Sequence, residues 1–325
     1  SGGIGSGGTV DFVLAGGTLT SPFITISAFG TGGDGGRNGS DGAGGNAGSG
    51  TGGTAQFTLA SEGHSLGVIG VEANGRGGVA GDAKAIVGYD AFGQPIYAVG
   101  IGAGGRGGSG TGGRANMVVD VDPILTNLTI SANGAGTRGG IGATGGNGGA
   151  GNGGTNGLGA QLTVSFGAFT VTNQLDITAE GFGGEGGNGA TGRGGDGGIG
   201  TAGESGFIAT GSSTQVQTNI LQILSNGLGG DGGESAGIGV TGGSGGAAFG
   251  GTTGLRVADN AQFTVGQSTV ISAGAVGGTG RGGTASSVPG TGGAGGAGGS
   301  VTGGIARLAV ENATLIDGPI GNVQI

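Results

Sequence analysis

The sequence predicts an all-β repeat solenoid, in which stacked coils of short parallel strands lie beside layers of three-fold polyglycine-II helices and no α-helix occurs. Three observations lead to this prediction. Glycine makes up 100 of the 325 residues, an apolar strand pattern recurs along the chain, and glycine returns at every third position in the tracts between strands. Residues 1–325 are therefore expected to form one tandem-repeat array, with repeats at 8–51, 52–111, 112–157, 158–203, 204–250 and 251–302 and a partial repeat at 303–325.

The first strand pattern places apolar residues at alternate positions, as a half-buried strand requires. A single repeat cannot bury such a face alone, so neighbouring repeats must stack. With one repeat in each coil, the central side chains of this pattern form one continuous column, which consists of Phe12, Phe57, Met117, Leu162, Phe207, Leu255 and Leu308.

The second strand pattern follows the first in each repeat and ends in a small residue. Stacking predicts a second apolar column from Ile26, Val71, Ile130, Ile177, Ile223 and Ile271. An apolar residue between the two patterns predicts a further short strand in each repeat, at Leu19, Leu66, Ile124, Phe169, Val216, Phe263 and Leu315. Each repeat thus has two or three strands with one apolar face.

The glycine tracts, such as residues 136–157, have neither the period of a helix nor that of a strand. A polyproline-II-type helix has three residues per turn and leaves its backbone polar groups free. Glycine at two of three positions lets such helices approach closely and bond one another, so Gly148 is expected at a contact and Asn147 is expected to point outward. Breaks in the triplet phase at 49–51 and 234–236 are expected to turn the chain back.

Two other interpretations fit the tracts less well. A flexible glycine-rich linker needs no fixed triplet phase, whereas this phase persists over many triplets. Collagen also has glycine at every third position but is rich in proline, and this chain has five prolines. Packed three-fold helices are the favoured interpretation.

Composition excludes several classes of partner. The net charge is −9 and the basic residues are scattered singly, so no nucleic-acid or anionic-lipid footprint is expected. No run approaches the length of a membrane-spanning segment. Cysteine is absent, which excludes disulfides and thiolate metal sites. Since the chain starts at Ser1 without a methionine, it is interpreted as a mature product or a slice of a longer array.

No catalytic, cofactor-binding or metal-binding residue is predicted. The many G-x-G-x-x-G matches lack the following helix of a dinucleotide site, and Lys84 lies outside any phosphate-binding motif. His64 is the sole histidine and is interpreted as a surface residue. The acids of the tracts lack the nine-residue period of calcium-binding repeats and are expected to be outward and solvated. These acids are Asp34, Asp41, Glu185, Asp196, Asp231 and Glu234.

An ice-binding surface is disfavoured. Stacked coils can align threonines in flat ranks, but the outward positions of the second strand form no such rank. They are Thr25, Gly70, Thr129, Asp176, Gln222 and Val270.

The repeat units resemble a known class of protein. The segments 16–20 (Gly-Gly-Thr-Leu-Thr), 24–28 (Ile-Thr-Ile-Ser-Ala) and 32–36 (Gly-Gly-Asp-Gly-Gly) are similar to those of the β-strand-repeat, filamentous-haemagglutinin-like giant surface proteins of Gram-negative bacteria. The tracts alone also resemble glycine-rich mycobacterial surface proteins and the polyglycine tips of phage tail adhesins, but the strand pairs favour the first family. The resemblance implies an extracellular adhesin or surface fibre.

Two functional hypotheses follow. The first is a structural, non-enzymatic repeat segment of a cell-surface fibre or stalk, which associates end to end or laterally and supports adhesion or biofilm and surface-layer formation. The second is a receptor- or glycan-binding module that uses variable tract residues or the insertion at 84–101. That insertion carries both tyrosines, Tyr89 and Tyr97.

Overall fold

The chain is a stack of like coils in which equivalent residues of successive repeats pair in parallel. The structure, a computed structural model, describes residues 1–36, 42–89, 92, 94–99, 102–154, 159–283, 293–317 and 323–324. These residues contain strands, turns and extended segments and no helix. Four parallel sheets run through the stack, which confirms the predicted all-β parallel solenoid.

Two of the sheets have long strands and enclose the apolar core. Sheet 2 consists of Thr9–Leu14, Thr54–Leu59, Arg114–Val119, Ala160–Val164, Glu204–Thr210, Thr252–Ala258 and Ile305–Glu311. We number the coils 1 to 7 by these strands in chain order. Sheet 3 consists of Thr20–Ser27, Ser65–Glu72, Ile124–Ser131, Ala168–Thr178, Gln215–Leu224, Gln262–Ser272 and, both in coil 7, Thr314–Asp317 and Val323–Gln324.

The other two parallel sheets have strands of two residues and flank the core. Sheet 4 follows sheet 3 along the chain and consists of Gly30–Thr31, Gly75–Arg76, Gly134–Ala135, Gly181–Phe182, Gly227–Leu228 and Ala275–Val276. Sheet 1 precedes sheet 2 and consists of Gly5–Ser6, Gly50–Thr51, Gly110–Thr111, Gly151–Asn152, Gly200–Thr201, Ala248–Phe249 and Val301–Thr302. One antiparallel hairpin, Lys84–Tyr89 with Pro95–Val99, leaves coil 2.

Both predicted apolar columns are confirmed by the register. In sheet 2, Phe12 pairs with Phe57, and the remaining members of the first column pair in sequence up to Leu308. In sheet 3, Ile26 pairs with Val71, and the second column continues in the same way to Ile271. The inner members of both columns are fully buried in one core cluster.

The intervening apolar position differs from the prediction in two ways. In coils 2 to 6 it belongs to the same strand as the second pattern, as Phe169 and Ile177 do within Ala168–Thr178. In coil 3, Ile124 is 65% exposed, whereas its neighbour Leu125 is fully buried and pairs with Val171. Side chains alternate across a strand, so an error of one residue moves the assignment to the opposite face.

The turns between sheets 2 and 3 need left-handed backbone at a few positions. Gly17, Gly63, Gly167 and Gly211 have φ values from 77° to 103° there, and coils 6 and 7 use aspartate or asparagine instead. Glycine, asparagine and aspartate tolerate this region best.

Candidate functional site: the glycine-arm layers

Each glycine tract folds into two antiparallel segments. The outgoing arm leaves sheet 4, and the returning arm leads into sheet 1. In coil 4 the Gly195 amide donates to the Gly187 carbonyl (2.8 Å) and the Gly198 amide donates to the Gly184 carbonyl (2.7 Å). This descending order of partners shows that the arms lie side by side in opposite directions. Each arm stacks on its counterparts, so the tracts form two facing layers.

One of the two predicted turning points is correct. In coil 5 the outgoing arm ends at Ser235, which bridges to Gly189 and Gly283 in the neighbouring coils, and the chain then reverses. The break at 49–51 does not reverse the chain. It marks the passage from the returning arm into the sheet 1 strand Gly50–Thr51.

The bonds between arms repeat every three residues. In a Gly-Gly-x triplet, the first amide donates to the x carbonyl of the next coil, as Gly186 does to Asp231 (2.8 Å). The second amide donates across to the facing layer, as Gly187 does to Gly146 (2.7 Å). A three-residue period is that of a polyproline-II-type helix, whose backbone groups are free to bond neighbours. The tracts are therefore packed layers and not linkers.

The arms need glycine for space and not for backbone conformation. Among the residues that the structure describes, the glycines with left-handed φ are Gly17, Gly63, Gly167, Gly211 and Gly239, so the described arm glycines on the contact faces lie outside that region. A Cβ at Gly148 would overlap the carbonyl oxygen of Gly184 in the facing layer. Gly148 is thus a contact position as predicted, and Asn147 is exposed.

The x residues form a second set of bonds, which the sequence pattern did not predict. The backbone lattice leaves the x amide unused, and an aspartate or asparagine at x in the preceding coil accepts its proton. Val79 donates to Asp34 Oδ1 (2.8 Å), Asp196 donates to Asn147 Oδ1 (3.0 Å), and Thr279 donates to Asp231 Oδ1 (2.8 Å). The same bond joins Arg106 to Asn46, Ile141 to Asp82, Glu234 to Asn188 and Ser244 to Asp196. We call this set the Asx ladder.

The ladder corrects the expectation that the tract acids are merely solvated. Asp34, Asp196 and Asp231 each bind the next coil, whereas Glu185 and Glu234 are exposed as expected. Asp41 lies outside the described residues. The short Asx side chain places its oxygen next to its own backbone, which is why Asn and Asp favour such side-chain-to-backbone bonds.

A related asparagine column lies where sheet 3 passes into sheet 4. The backbone N–H of Asn133 donates to Asn74 Oδ1 (2.7 Å), and the backbone N–H of Glu180 donates to Asn133 Oδ1 (2.7 Å). Burial raises the pKa of Glu180, and the bond from Asn226 Nδ2 to Glu180 Oε1 (3.1 Å) offsets part of that rise. The column continues the Asx ladder into the strand stack.

The charges of the arms support the same contacts. The Thr279 backbone amide is the main cause that holds the pKa of Asp231 below its ordinary value, and Arg281 contributes through its charge and its bond to Asp231 Oδ2 (2.9 Å). Arg193 pairs with Asp196 on the returning arm. Exposed ion pairs of this kind stabilise a fold only slightly. The hydrogen bonds from the backbone amides therefore contribute more to the stability of the contact between coils.

His64 is part-buried and joins two coils, unlike the isolated surface residue expected. Its Nδ1 accepts from the Leu19 amide (3.1 Å), so the ring proton lies on Nε2 and is donated to Ser61 Oγ (2.9 Å). Ser61 in turn donates to the Leu14 carbonyl (3.2 Å). In this tautomer the imidazole offers Ser61 no basic nitrogen, so the pair serves as a turn clamp between coils 1 and 2.

Comparisons with known proteins do not identify a family for this chain. No family model and no curated protein matches the chain. A solved structure of a springtail antifreeze protein from Granisotoma rainieri, a bundle of nine polyproline type II helices, matches at 19% identity over 61% of this chain and 94% of that chain, with a TM-score of 0.16. A TM-score this low shows no common fold and supports no functional argument.

Two further findings concern the described residues. They include no helix that is long and apolar enough to cross a membrane. They also bring no three histidine, aspartate or glutamate side chains together as metal ligands.

Proposed function

We propose that this chain is a structural, non-enzymatic segment of an extracellular or cell-surface fibre or stalk that supports adhesion or biofilm and surface-layer formation. One observation carries the proposal: coils 1 to 6 are joined in succession through the strand stack, the glycine arms and the Asx ladder alike, and coil 7 extends the strand stack. Hydrogen bonds therefore join successive coils across the whole cross-section of the stack. The absence of cysteine suits a chain that crosses an oxidising compartment.

The geometry favours a stiff rod over a long one. A coil of a parallel stack adds only about 4.8 Å along the axis, although it uses some 45 to 60 residues. The glycine arms fill the cross-section of the stack with backbone. Hydrogen bonds join the arms within each layer and also join the two layers to each other. Such a body resists bending, as a stalk or a thick fibre must.

The two end coils have faces that fit another coil of the same pattern. Phe12 in coil 1 is 36% exposed and Val310 in coil 7 is 43% exposed, whereas their neighbours in the adjacent inner coils, Phe57 and Val257, are fully buried. Asp11 and Arg307 occupy the same position of sheet 2 in coils 1 and 7. Stacking one copy on another in register would therefore bring opposite charges together.

Sedimentation and negative-stain electron microscopy over a range of concentrations test this self-association. We expect the chain to form rods whose length grows with concentration. Asp11→Arg should weaken growth through like charges, and Asp11→Arg combined with Arg307→Asp should restore it. A compact monomer at every concentration would contradict self-association, and immunogold labelling inside the source cell would contradict the proposed location.

The alternative, a receptor- or glycan-binding module, rests on the hairpin of coil 2. In coil 3 the arms join directly from Gly142 to Ala143, and the matching residues of coil 2 are Ala83 and Gly102. Deleting residues 84–101 therefore replaces the hairpin by the junction that coil 3 already uses. We expect this deletion to leave thermal stability unchanged. Loss of adhesion with stability retained would favour the binding module over the fibre.

A further inference from the structure

Two strand glycines are not explained by packing. A Cβ at Gly206 would come no closer than 3.7 Å to the Gly254 carbonyl oxygen, and one at Gly254 no closer than 3.5 Å to the Arg307 carbonyl oxygen. Neither residue has left-handed φ. Glycine weakens a strand, and in a strand it often marks close approach of a ligand or another backbone. In the arms each contact glycine is required by its neighbours, but here the space stays open.

The two glycines form the floor of a depression on the outer face of sheet 2. They occupy adjacent places in one column, with Gln161 before them and Arg307 after them. Glu204 and Thr252 lie on one side, and Ile208 and Arg256 lie on the other. The cleft has a volume of about 390 Å³. The strand geometry makes it about 13 Å wide and about 14 Å long, which is room for one or two sugar rings.

The charged and polar side chains of the cleft rim are distributed unevenly. At one corner Arg256 is held by Glu311 (2.9 Å), and this bond raises the pKa of the guanidinium. Arg307 beside it forms no ion pair with any residue in the described part of the chain. The opposite side offers the Glu204 carboxylate and the Thr252 hydroxyl, and the floor and Ile208 are apolar. A ligand that fits has a carboxylate at one end, hydroxyls at the other and an apolar face.

We propose that this cleft binds an acidic saccharide, with its carboxylate at Arg307 and its hydroxyls at Glu204 and Thr252. The C–H face of the sugar lies on the backbone of Gly206 and Gly254, where any side chain would exclude it. Arginine suits this task because its planar fork matches a carboxylate. The site goes beyond the fibre proposal, since the outer face of sheet 2 stays accessible when coils stack.

Isothermal titration calorimetry of the full chain with digalacturonate, the hyaluronan disaccharide and neutral galactobiose tests the proposal. We expect saturable binding of an acidic saccharide and at least about ten-fold weaker binding of the neutral one, the effect of losing a charged hydrogen bond. Arg307→Gln should weaken acidic binding by about ten-fold or more. Gly254→Val and Gly206→Val should abolish binding while the melting temperature holds or rises, because valine favours strands.

Thr58→Val is the matched control, on the outer face of the same sheet in coil 2 and outside the cleft. It should leave binding unchanged. No saturable binding of either acidic probe would overturn the proposal, as would full binding by Gly254→Val. Equal affinity for galactobiose would overturn the acidic class. Rod formation by Gly254→Val reports on the fibre proposal separately, because Gly254 lies in an inner coil away from both stacking faces, so the two proposals can fail independently.

Discussion

At the scale of single residues, glycine has two distinct uses in this chain. In the turns between sheets 2 and 3 it supplies left-handed backbone, as at Gly63 with φ 86°. In the arms it supplies space, because a carbonyl oxygen of a neighbouring arm occupies the place of a Cβ, as at Gly187. The first use tolerates asparagine, which replaces glycine at Asn260 and Asn312. The second tolerates no side chain, so the triplet phase must be kept.

Substitution of adjacent residues separates contact from outward positions. Gly148→Val would drive a β-branched side chain into the Gly184 carbonyl and should cost at least about 3 kcal/mol, the upper range for overpacking. Asn147→Val should cost only about 1 kcal/mol, because it removes the single bond from the Asp196 amide. Urea unfolding of the two variants measures the difference. Equal midpoints would contradict the packed-layer structure.

The two residues also show what the sequence alone reveals. The triplet phase predicts that Gly148 is a contact and Asn147 is outward, since only two of three positions can face neighbours. It does not predict the bond that Asn147 makes, because outward and bonded look alike in a sequence. The available signal was chemical: asparagine or aspartate occupies many x positions, and these short side chains readily bond to backbone.

At the scale of the element, each arm is held by its neighbours and by the ladder, and not by bonds within itself. A polyproline-II-type helix has no internal hydrogen bonds, so an isolated arm has nothing to hold it straight. The partners of Gly186 and Gly187 belong to coils 5 and 3 respectively. The sequence predicted the arms from their period, but the order of their bonding partners required the structure.

The ladder makes part of the stability depend on pH. The folded-state pKa of Asp231 lies below its unfolded value of 3.8, chiefly through the Thr279 amide. A depressed pKa means that the carboxylate stabilises the fold above the unfolded value, and that this contribution is lost as pH falls through the lower folded value. Asp231→Asn keeps an acceptor oxygen but loses the charge.

We therefore expect Asp231→Asn to melt at a slightly lower temperature than the parent chain at pH 6, with the gap closing below pH 3.8. Solvent screening keeps the effect small, because the Asp231 side chain is 31% exposed to the solvent. Thermal melts from pH 2 to pH 7 follow the gap. Glu185→Gln is the control, since Glu185 is exposed and is not part of the ladder. A gap that stayed constant with pH would assign the effect to packing.

At the scale of the molecule, the strand stack was the most predictable part. Seven copies of an alternating pattern must stack to be buried, and every pair of the Phe12 and Ile26 columns is in the register that stacking requires. The cleft was not predictable, because Gly206 and Gly254 look like any other glycines in a chain with 100 of them. Only the open space around Gly206 and Gly254 distinguishes them from the closely packed glycines of the arms.

In a solenoid of this kind, a destabilising substitution affects only its own coil and the neighbouring coils. The reason is that the stability of the stack is a sum of contributions from single coils and from the interfaces between them. Ile177 is fully buried between Ile130 and Ile223, so Ile177→Asp leaves an unpaired charge between stacked side chains. We expect a loss of several kcal/mol. Asn188→Asp in the same coil keeps its acceptor for the Glu234 amide and should cost little.

Amide hydrogen exchange gives this prediction its sharpest form. Ile177→Asp should raise exchange in coil 4 and in the coils on either side, including arm amides such as Gly187, because the arms depend on the same stack. Coils 1 and 7 should keep their protection. Uniform loss along the chain would instead mean that the stack unfolds as one cooperative unit, since local opening is then no easier than global unfolding. Faster exchange confined to sheet 3, with the arms unaffected, would show that the glycine layers are stable independently of the apolar columns.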